Sequence, residues 1–337
     1  MMDEPGSPPL VSICIPVYNA APFVAATLDS ALAQDYPRLV IIVSDDRSTD
    51  HTPDLVQGFA HRGVRLLRQP NHLGMYANWN AVIRASRGKY VCKLDHDDLL
   101  AQSYLSSLVP VLEAHPRIVF AHCACRLIDA AGIFRGYERS IHGSFIRPGL
   151  QEWPRYVFGA RAVNIILIRR SAYDAVGGYD EQIGIGGDWK MQRELLTVGD
   201  VFYHDGLLAS YRIHGIGKAG REVLKAQDYL RQMADMHRNW PAGVPDRPRL
   251  LNRARRAFAV AVALSAAQAD PAEARVILQY LPGYAPGFTA RMIAHLVQGG
   301  GAGLIRTCLR LKTRLRQLAK GRLYRPPAGA GKYHGSR

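Results

Sequence analysis

The sequence predicts an α/β fold, a mainly parallel open sheet flanked by helices, with a C-terminal helical extension. Three observations predict it. Short apolar runs alternate with helix-length segments through residues 1–100, the pattern of strands joined by crossover helices. Polar clusters sit at the ends of those runs, where ligands bind in open sheets of this type. Beyond residue 215 the pattern turns helical and rich in Ala, Leu and Arg.

Val11–Val17 reads as a short buried strand, Tyr18–Ala21 as the turn after it, and Pro22 as the opening of a helix to about Gln34. A second strand, Leu39–Ser44, ends in Asp45-Asp46, and Thr52-Pro53-Asp54 opens another helix. Val64–Arg68 is a third strand, Gly74–Ser86 a helix, and Tyr90–Leu94 a fourth strand ending in Asp95-His96-Asp97-Asp98. Gln102–Glu113 reads as a helix, Ile118–Cys125, Val163–Ile168 and Leu207–Ile213 as strands, and a further helix starts at Asp188 and ends before Gly199. From Arg221 the helical pattern breaks at Pro241–Pro248, Pro282-Gly283, Pro286-Gly287 and Gly299–Gly301. The expected organisation is an α/β domain over 1–215, in two halves (1–100 and 101–215), then a basic, mainly helical region over 216–337.

Charge is unevenly spread. Residues 1–214 carry 21 Lys and Arg against 22 Asp and Glu, whereas residues 215–337 carry 22 against 6. Such a region is drawn to a polyanion, of which an anionic membrane face is one. Nucleic acid is not an expected partner, because no recognition motif accompanies the charge. The five cysteines form no C-x-x-C pair, which suits buried thiols in a reducing compartment rather than a zinc or disulfide framework. The first residues lack the apolar core of a secretory signal, and the longest apolar run, Ala257–Leu264, is shorter than a membrane span. The expected location is cytoplasmic, with peripheral attachment at the inner membrane surface left open.

Asp95-x-Asp97-Asp98 at a strand end is the clearest chemical signal, since carboxylates there can hold a hard divalent cation, Mn or Mg, against phosphate oxygens. Read alone, the same residues serve equally as an acidic loop capping the next helix. Asp188 follows Gly184-Ile-Gly-Gly187 and begins a helix, where free amides and the dipole favour a carboxylate. It reads as an N-cap or as a general base.

The ordered segments Val11-Ser-Ile-Cys-Ile-Pro-Val-Tyr-Asn19, Val43-Ser-Asp-Asp-Arg-Ser-Thr-Asp50, Asn71-His-Leu-Gly74 and Leu94-Asp-His-Asp-Asp98, then Gly177-Gly-Tyr-Asp-Glu181, Gly187-Asp-Trp189 and Tyr211-Arg-Ile-His214, resemble family 2 glycosyltransferases, inverting enzymes of GT-A type. The resemblance implies a nucleotide-sugar donor and a glycan or lipid-linked acceptor, in bacterial cell-surface polysaccharide or glycolipid synthesis. It implies that Pro16, Tyr18 and Asn19 lie beside the nucleotide with Asn71 and Gly74. It also implies that Asp45, or else Asp46, hydrogen-bonds the base, UDP being preferred and dTDP the alternative. Asp95 and Asp97 map to the metal pair, Asp97 as the more direct contact, and Asp188 to the catalytic base. Gly187 stands where the family usually has an acidic residue. His214 falls where the family often carries a histidine near metal and diphosphate, and Arg212 is a phosphate contact by the same logic.

Gly215–Gly220, with Lys218, reads as a closing loop or as a linker. Trp79, Trp153 and Trp189 read as sugar platforms or as core. Leu304–Lys320 has an apolar stripe, with Arg306, Arg310 and Arg314 on another face, so the region 303–325 suits either an anionic membrane or packing on its own domain. Two rival functions are compatible with an acidic α/β sheet edge. A sugar-phosphate nucleotidyltransferase needs a glycine- and basic-rich loop after the first strand, and Tyr18–Phe23 has neither. A non-catalytic nucleotide-sugar-binding module would keep the fold while having no need of the intact acidic set.

Overall fold

The chain is described by a computed structural model over residues 7–139, 143–158, 165–184, 186–213 and 221–268, with Gln279. The first strands and helices alternate as the sequence predicts: β1 (Val11–Val17), α1 (Val24–Leu32), β2 (Leu39–Asp45), α2 (Thr52–Gly58), β3 (Val64–Arg68), α3 (Met75–Arg84) and β4 (Tyr90–Lys93). There follow β5 (Leu99–Leu100), α4 (Tyr104–Ala114), β6 (Ile118–Ile128), β7 (Phe134–Glu138), β8 (Phe145–Arg147), α5 (Gly149–Glu152), β9 (Ile166–Arg169), α6 (Arg170–Val176), α7 (Gly187–Val198) and β10 (Asp200–Arg212). Two helices close the described chain, α8 (Arg221–Arg238) and α9 (Arg247–Gln268).

The strands form one sheet in the order β3-β2-β1-β4-β9-β6-β10-β5, with β7 beside β6 and β8 beside β10. β3, β2, β1 and β4 pair in parallel. β9 runs antiparallel to both β4 and β6, so β6 and its parallel partner β10 point the same way as the first four. The carboxyl ends of β1, β2, β4, β6 and β10 therefore share one edge, and each crossover delivers its loop there.

β1 is buried along its whole length, as expected of a strand covered on both faces. Its odd-numbered residues Val11, Ile13 and Ile15 join α1 and α4 through Val24, Leu28, Leu105 and Leu108 in one core cluster. On the other face Cys14 meets α3, its thiol donating to the Val82 carbonyl at 3.8 Å. Cys14, Cys92, Cys123 and Cys125 are all buried free thiols, and burial holds each above its ordinary range.

The second half of the sheet departs from the sequence reading. β10 begins at Asp200 rather than Leu207, and its register against β6 shifts between His204 and Leu207; the polar run Tyr203-His-Asp205 hides the strand from an apolar-pattern reading. The short β5, β7, β8, α5 and α6 were not anticipated, being too brief to set up a period. The strand expected over Val163–Ile168 is seen as Ile166–Arg169, residues 163 and 164 lying outside the described residues.

One compact unit joins Met1–Lys218 with Arg231–Ala254. Within it Trp240 meets the ring of Trp153 edge-on at 4.7 Å, and Asp235 pairs with Arg193 at 3.1 Å and Lys190 at 3.2 Å. The other unit comprises Ala219–Leu230 and Arg255–Arg337, and in it Tyr229 stacks on Phe258 at 5.1 Å. Among the described residues no helix is long and apolar enough to cross a membrane. The loop 215–220, the glycine run at 299–303 and the amphipathic segment 303–325 lie outside the described residues.

Candidate active site

The loops after β1 and β2 are laced together by small polar side chains. The Asn19 amide donates to Ser48 Oγ at 2.9 Å, the Ala20 amide to Thr52 Oγ1 at 2.7 Å and the Ala21 amide to Asp50 Oδ2 at 3.2 Å. In return Asn19 Oδ1 accepts from the Thr49 amide at 2.8 Å. Asn19 and Arg47 both take positive φ, 49° and 65°; asparagine tolerates this well, whereas arginine does so at a cost of order 1 kcal/mol. Ser48, Asp50 and Thr52 are thus structural members of the site that composition alone did not single out.

Asp45 and Asp46 part company in the structure. Asp46 is consumed by architecture: its carboxylate accepts the amides of Leu73 at 2.6 Å and Gly74 at 2.9 Å, and His72 Nδ1 lies 3.1 Å from Oδ2. Gly74, at φ 87°, enters α3 from this clasp. Asp45 is buried with Oδ1 accepting the Ser48 amide at 3.2 Å, while Oδ2 has no hydrogen-bond partner among the described residues; Arg68 Nε stands 3.5 Å from it. Tyr18 is exposed and its ring meets that of His72 at 4.6 Å. Pro16 is buried inside β1 opposite Ser44, below the loop rather than in it. Asn71 is exposed on the neighbouring turn.

β4 leads into the acidic turn. The Leu94 amide donates to the Cys14 carbonyl at 3.0 Å and the Asp98 amide to the Asp95 carbonyl at 3.2 Å. Thr27 of α1 ties the turn to the first crossover, its hydroxyl meeting the His96 and Asp98 carbonyls at 2.8 and 3.0 Å. Arg212 of β10 holds the other side: its amide donates to Asp98 Oδ1 at 2.8 Å, Nε to the Asp97 carbonyl at 2.7 Å and Nη1 to the Asp129 carbonyl at 2.9 Å. The guanidinium expected at phosphate is buried and binds backbone carbonyls through these atoms, so it shapes the turn.

Lys93, the last residue of β4, is fully buried. Its ammonium lies 2.7 Å from Asp95 Oδ1 and 3.7 Å from the centroid of Trp79, a carboxylate and a ring face in place of water. Asp188 stands in the first turn of α7. Burial lifts its carboxyl above the usual range; the Trp189 amide and the nearby Lys93 ammonium oppose the shift, while Asp95 adds to it. Burial also raises the Tyr211 hydroxyl, to about 12, with further pressure from Asp98, Asp95, Asp97 and Asp188. Asp95, Asp97, Asp98 and Asp188 therefore gather at one place. His214 lies outside the described residues.

Asp98 is buried, and its carboxyl is raised well above the usual range by that burial and by Asp95 and Asp97; its Oδ2 lacks a hydrogen-bond partner among the described residues. Among the described residues no group of three or more His, Cys, Asp or Glu side chains is placed to hold a metal ion. Asp95 and Asp97 nevertheless offer hard oxygen donors in a crowd of negative charge, which suits Mn or Mg, ions whose remaining ligands are commonly water and substrate phosphate.

The tryptophans are core. Trp79, Trp153 and Trp189 are 7%, 2% and 4% exposed, and Trp189 Nε1 donates to the Tyr156 carbonyl. The Gly177–Glu181 motif is a brace: Asn80 of α3 donates to the Tyr179 carbonyl and Glu181 Oε1, each at 2.8 Å, and accepts from the Tyr179 amide at 2.9 Å.

An open sheet with acidic loops at its carboxyl edge and a mixed second half is the GT-A fold of glycosyltransferases. Residues 12–177 match the family described as glycosyl transferase family 2, and the chain belongs to that family. An uncharacterized glycosyltransferase of Rickettsia typhi is 25% identical over 231 residues, covering 66% of this chain and 69% of that one. A mannosyltransferase from Pyrobaculum calidifontis, solved with GDP-Man and Mn2+, superposes with a TM-score of 0.56 at 21% identity, over 90% of this chain and 88% of that one. TarS of S. aureus (residues 1–349), solved with UDP-GlcNAc, gives 0.55 at 12% identity, over 86% and 92%. Likeness at these identities establishes the fold.

Proposed function

We propose that this protein moves a sugar from a nucleotide diphosphate donor, UDP-linked by preference, to the hydroxyl of a glycan or lipid-linked acceptor, inverting the anomeric centre. The carrying observation is the placement of Asp188. It is a partly buried carboxylate in the field of Lys93 and Asp95, with its proton affinity raised by burial, which makes it a better proton acceptor than a solvated carboxylate.

In this reading Asp45 takes an N–H of the base with Oδ2, the buried acceptor that has no hydrogen-bond partner among the described residues, and Tyr18 lies beside the nucleotide. Asp95 and Asp97 hold the divalent cation, Mn or Mg, whose chemistry when bound is to neutralise charge on the departing diphosphate. Asp188 takes the proton of the acceptor hydroxyl as that oxygen bonds to the anomeric carbon from the far side. The bond to the diphosphate breaks, and its electron pair leaves with the nucleotide. One displacement inverts the configuration.

Support for the donor class comes from the two fold neighbours solved with sugar nucleotides. Bacterial surface polysaccharide or glycolipid synthesis is the proposed setting, with 303–325 as the candidate contact to an anionic membrane and His214 as a candidate third metal-site residue.

The test is thermal shift of the full chain with UDP-glucose, UDP-galactose, UDP-N-acetylglucosamine, GDP-mannose and a dTDP-sugar, each with and without Mn2+. A ligand bound only by the folded form raises its melting temperature. A manganese-dependent rise with a UDP-sugar is expected, and no rise with any donor would sink the proposal.

A further inference from the structure

Helix α7 carries Asp188 in its first turn yet has no cap of its own. Its N-cap is Gly186, at φ 97°, with no side chain to accept the free amides. A helix start left this way strands backbone donors. The acceptor comes instead from α3, distant in sequence: Tyr76 Oη receives the Gly186 amide at 3.1 Å and the Gly187 amide at 2.7 Å. On the other side Gln232 Nε2 donates to the Gly186 carbonyl at 2.8 Å.

The ring of Tyr76 also dictates what can stand beside Asp188. A Cβ on Gly187 would lie 2.6 Å from Cζ of Tyr76, and 2.8 and 2.9 Å from Cε1 and Cε2. The ring has nowhere easy to go, being 6% exposed, edge-on to Trp79 at 4.9 Å and stacked with Tyr179 at 6.2 Å. Tyr76 and any side chain at 187 therefore exclude one another. Only glycine at 187 leaves the ring where it stands.

We propose that Tyr76 is the positioning residue for Asp188, its phenol oxygen capping α7 in trans and its ring keeping residue 187 as glycine, so that the carboxylate is aimed by α3 rather than by its own neighbour. The proposal rests on the assignment of Asp188 as base. Burial and the nearby Asp188 hold the phenol well above its ordinary range, so it serves as a neutral acceptor and takes no proton from the reaction.

Tyr76→Phe keeps the ring and removes the acceptor. In the full chain, hydrogen exchange of the amides at 186–190 should speed up about tenfold, the scale of a lost buried hydrogen bond, with the rest of α7 little changed. Release of nucleoside diphosphate from UDP-glucose, UDP-N-acetylglucosamine and GDP-mannose, with water as acceptor, should fall at least tenfold in kcat for whichever donor the wild type turns over, with KM for that donor held within about twofold. Gly187→Ala, which displaces the ring while leaving the phenol, should reproduce the exchange result if Tyr76→Phe is poorly folded. Wild-type exchange at 186–190 in both variants overturns the proposal, as does a kcat loss matched by an equal loss of donor binding. Asp188→Asn, run in parallel, separates the two claims. If it is inert while Tyr76→Phe behaves as wild type, only the positioning role falls; if it turns over normally, both fall.

Discussion

Lys93 and Asp95 form the ion pair that joins the sheet to the acidic turn, Nζ to Oδ1 at 2.7 Å, with the ammonium fully buried and the carboxylate partly exposed. The same ammonium lowers the proton affinity of Asp188 against the pull of burial. One cation thus orders a proposed metal ligand and keeps the proposed base usable. Lys93→Met should move the acid limb of the rate profile to higher pH, because Asp188 loses an opposing charge and protonates more readily. Turnover at mildly acid pH is expected to fall about tenfold relative to alkaline pH, since one pH unit corresponds to tenfold in the ionised fraction. A profile that keeps its shape would remove Lys93 from this role.

Asp97→Ala should abolish the manganese-dependent part of donor binding, read by calorimetry with UDP and Mn2+. Asp188→Asn should bind the same pair normally while transfer drops about a thousandfold, within the range of general-base catalysis. Matching losses of binding in both variants would argue that the two carboxylates share one task.

The adjacent pair Asp45 and Asp46 should answer differently to the same change. Asp46→Asn replaces an oxygen that accepts the Leu73 or Gly74 amide, and stability should fall by about 2 kcal/mol, seen as a lower denaturation midpoint. Asp45→Asn should leave the midpoint nearly unchanged and weaken UDP binding about tenfold, because the altered oxygen is the one that the proposed function gives to the base. Equal destabilisation by both would undo the distinction.

His122 is a sensor of acid stability. Burial among Phe120 and Tyr203 pushes its imidazole down to about 3 from an ordinary 6.5. Above pH 6.5 folded and unfolded chains both hold it neutral. Between there and pH 3 only the unfolded chain takes the proton, so stability declines by up to about 1.4 kcal/mol per pH unit as acid is added. His122→Phe should flatten the melting temperature between pH 7 and pH 5; an unchanged slope would assign the decline to other groups.

The parallel half of the molecule was legible because its signals are local. Apolar runs such as Val11–Val17 are long enough to be buried on both faces, and the acidic clusters follow them directly. The mixed half was not. β9 inserts between β4 and β6 in the reverse direction, a pairing between distant segments that no local period encodes. The same limit applied to single residues: Arg212 stood out by motif as a phosphate contact, but its Nε and Nη1 donate to the Asp97 and Asp129 carbonyls, partners that no local pattern reveals.

By itself the sequence determined the chemistry available: the strands of the parallel half, the end of them that carries carboxylates, and the order of the motifs of family 2. Tertiary structure decided how those groups are held. Asp46 became a clasp and Asp45 a buried acceptor, Lys93 was sealed between Asp95 and Trp79, and Tyr76 reached across to the start of α7. The physical reason is that strand and helix periods are set by near neighbours along the chain. Burial, and the partner each polar group must find once buried, are set by segments that only folding brings together.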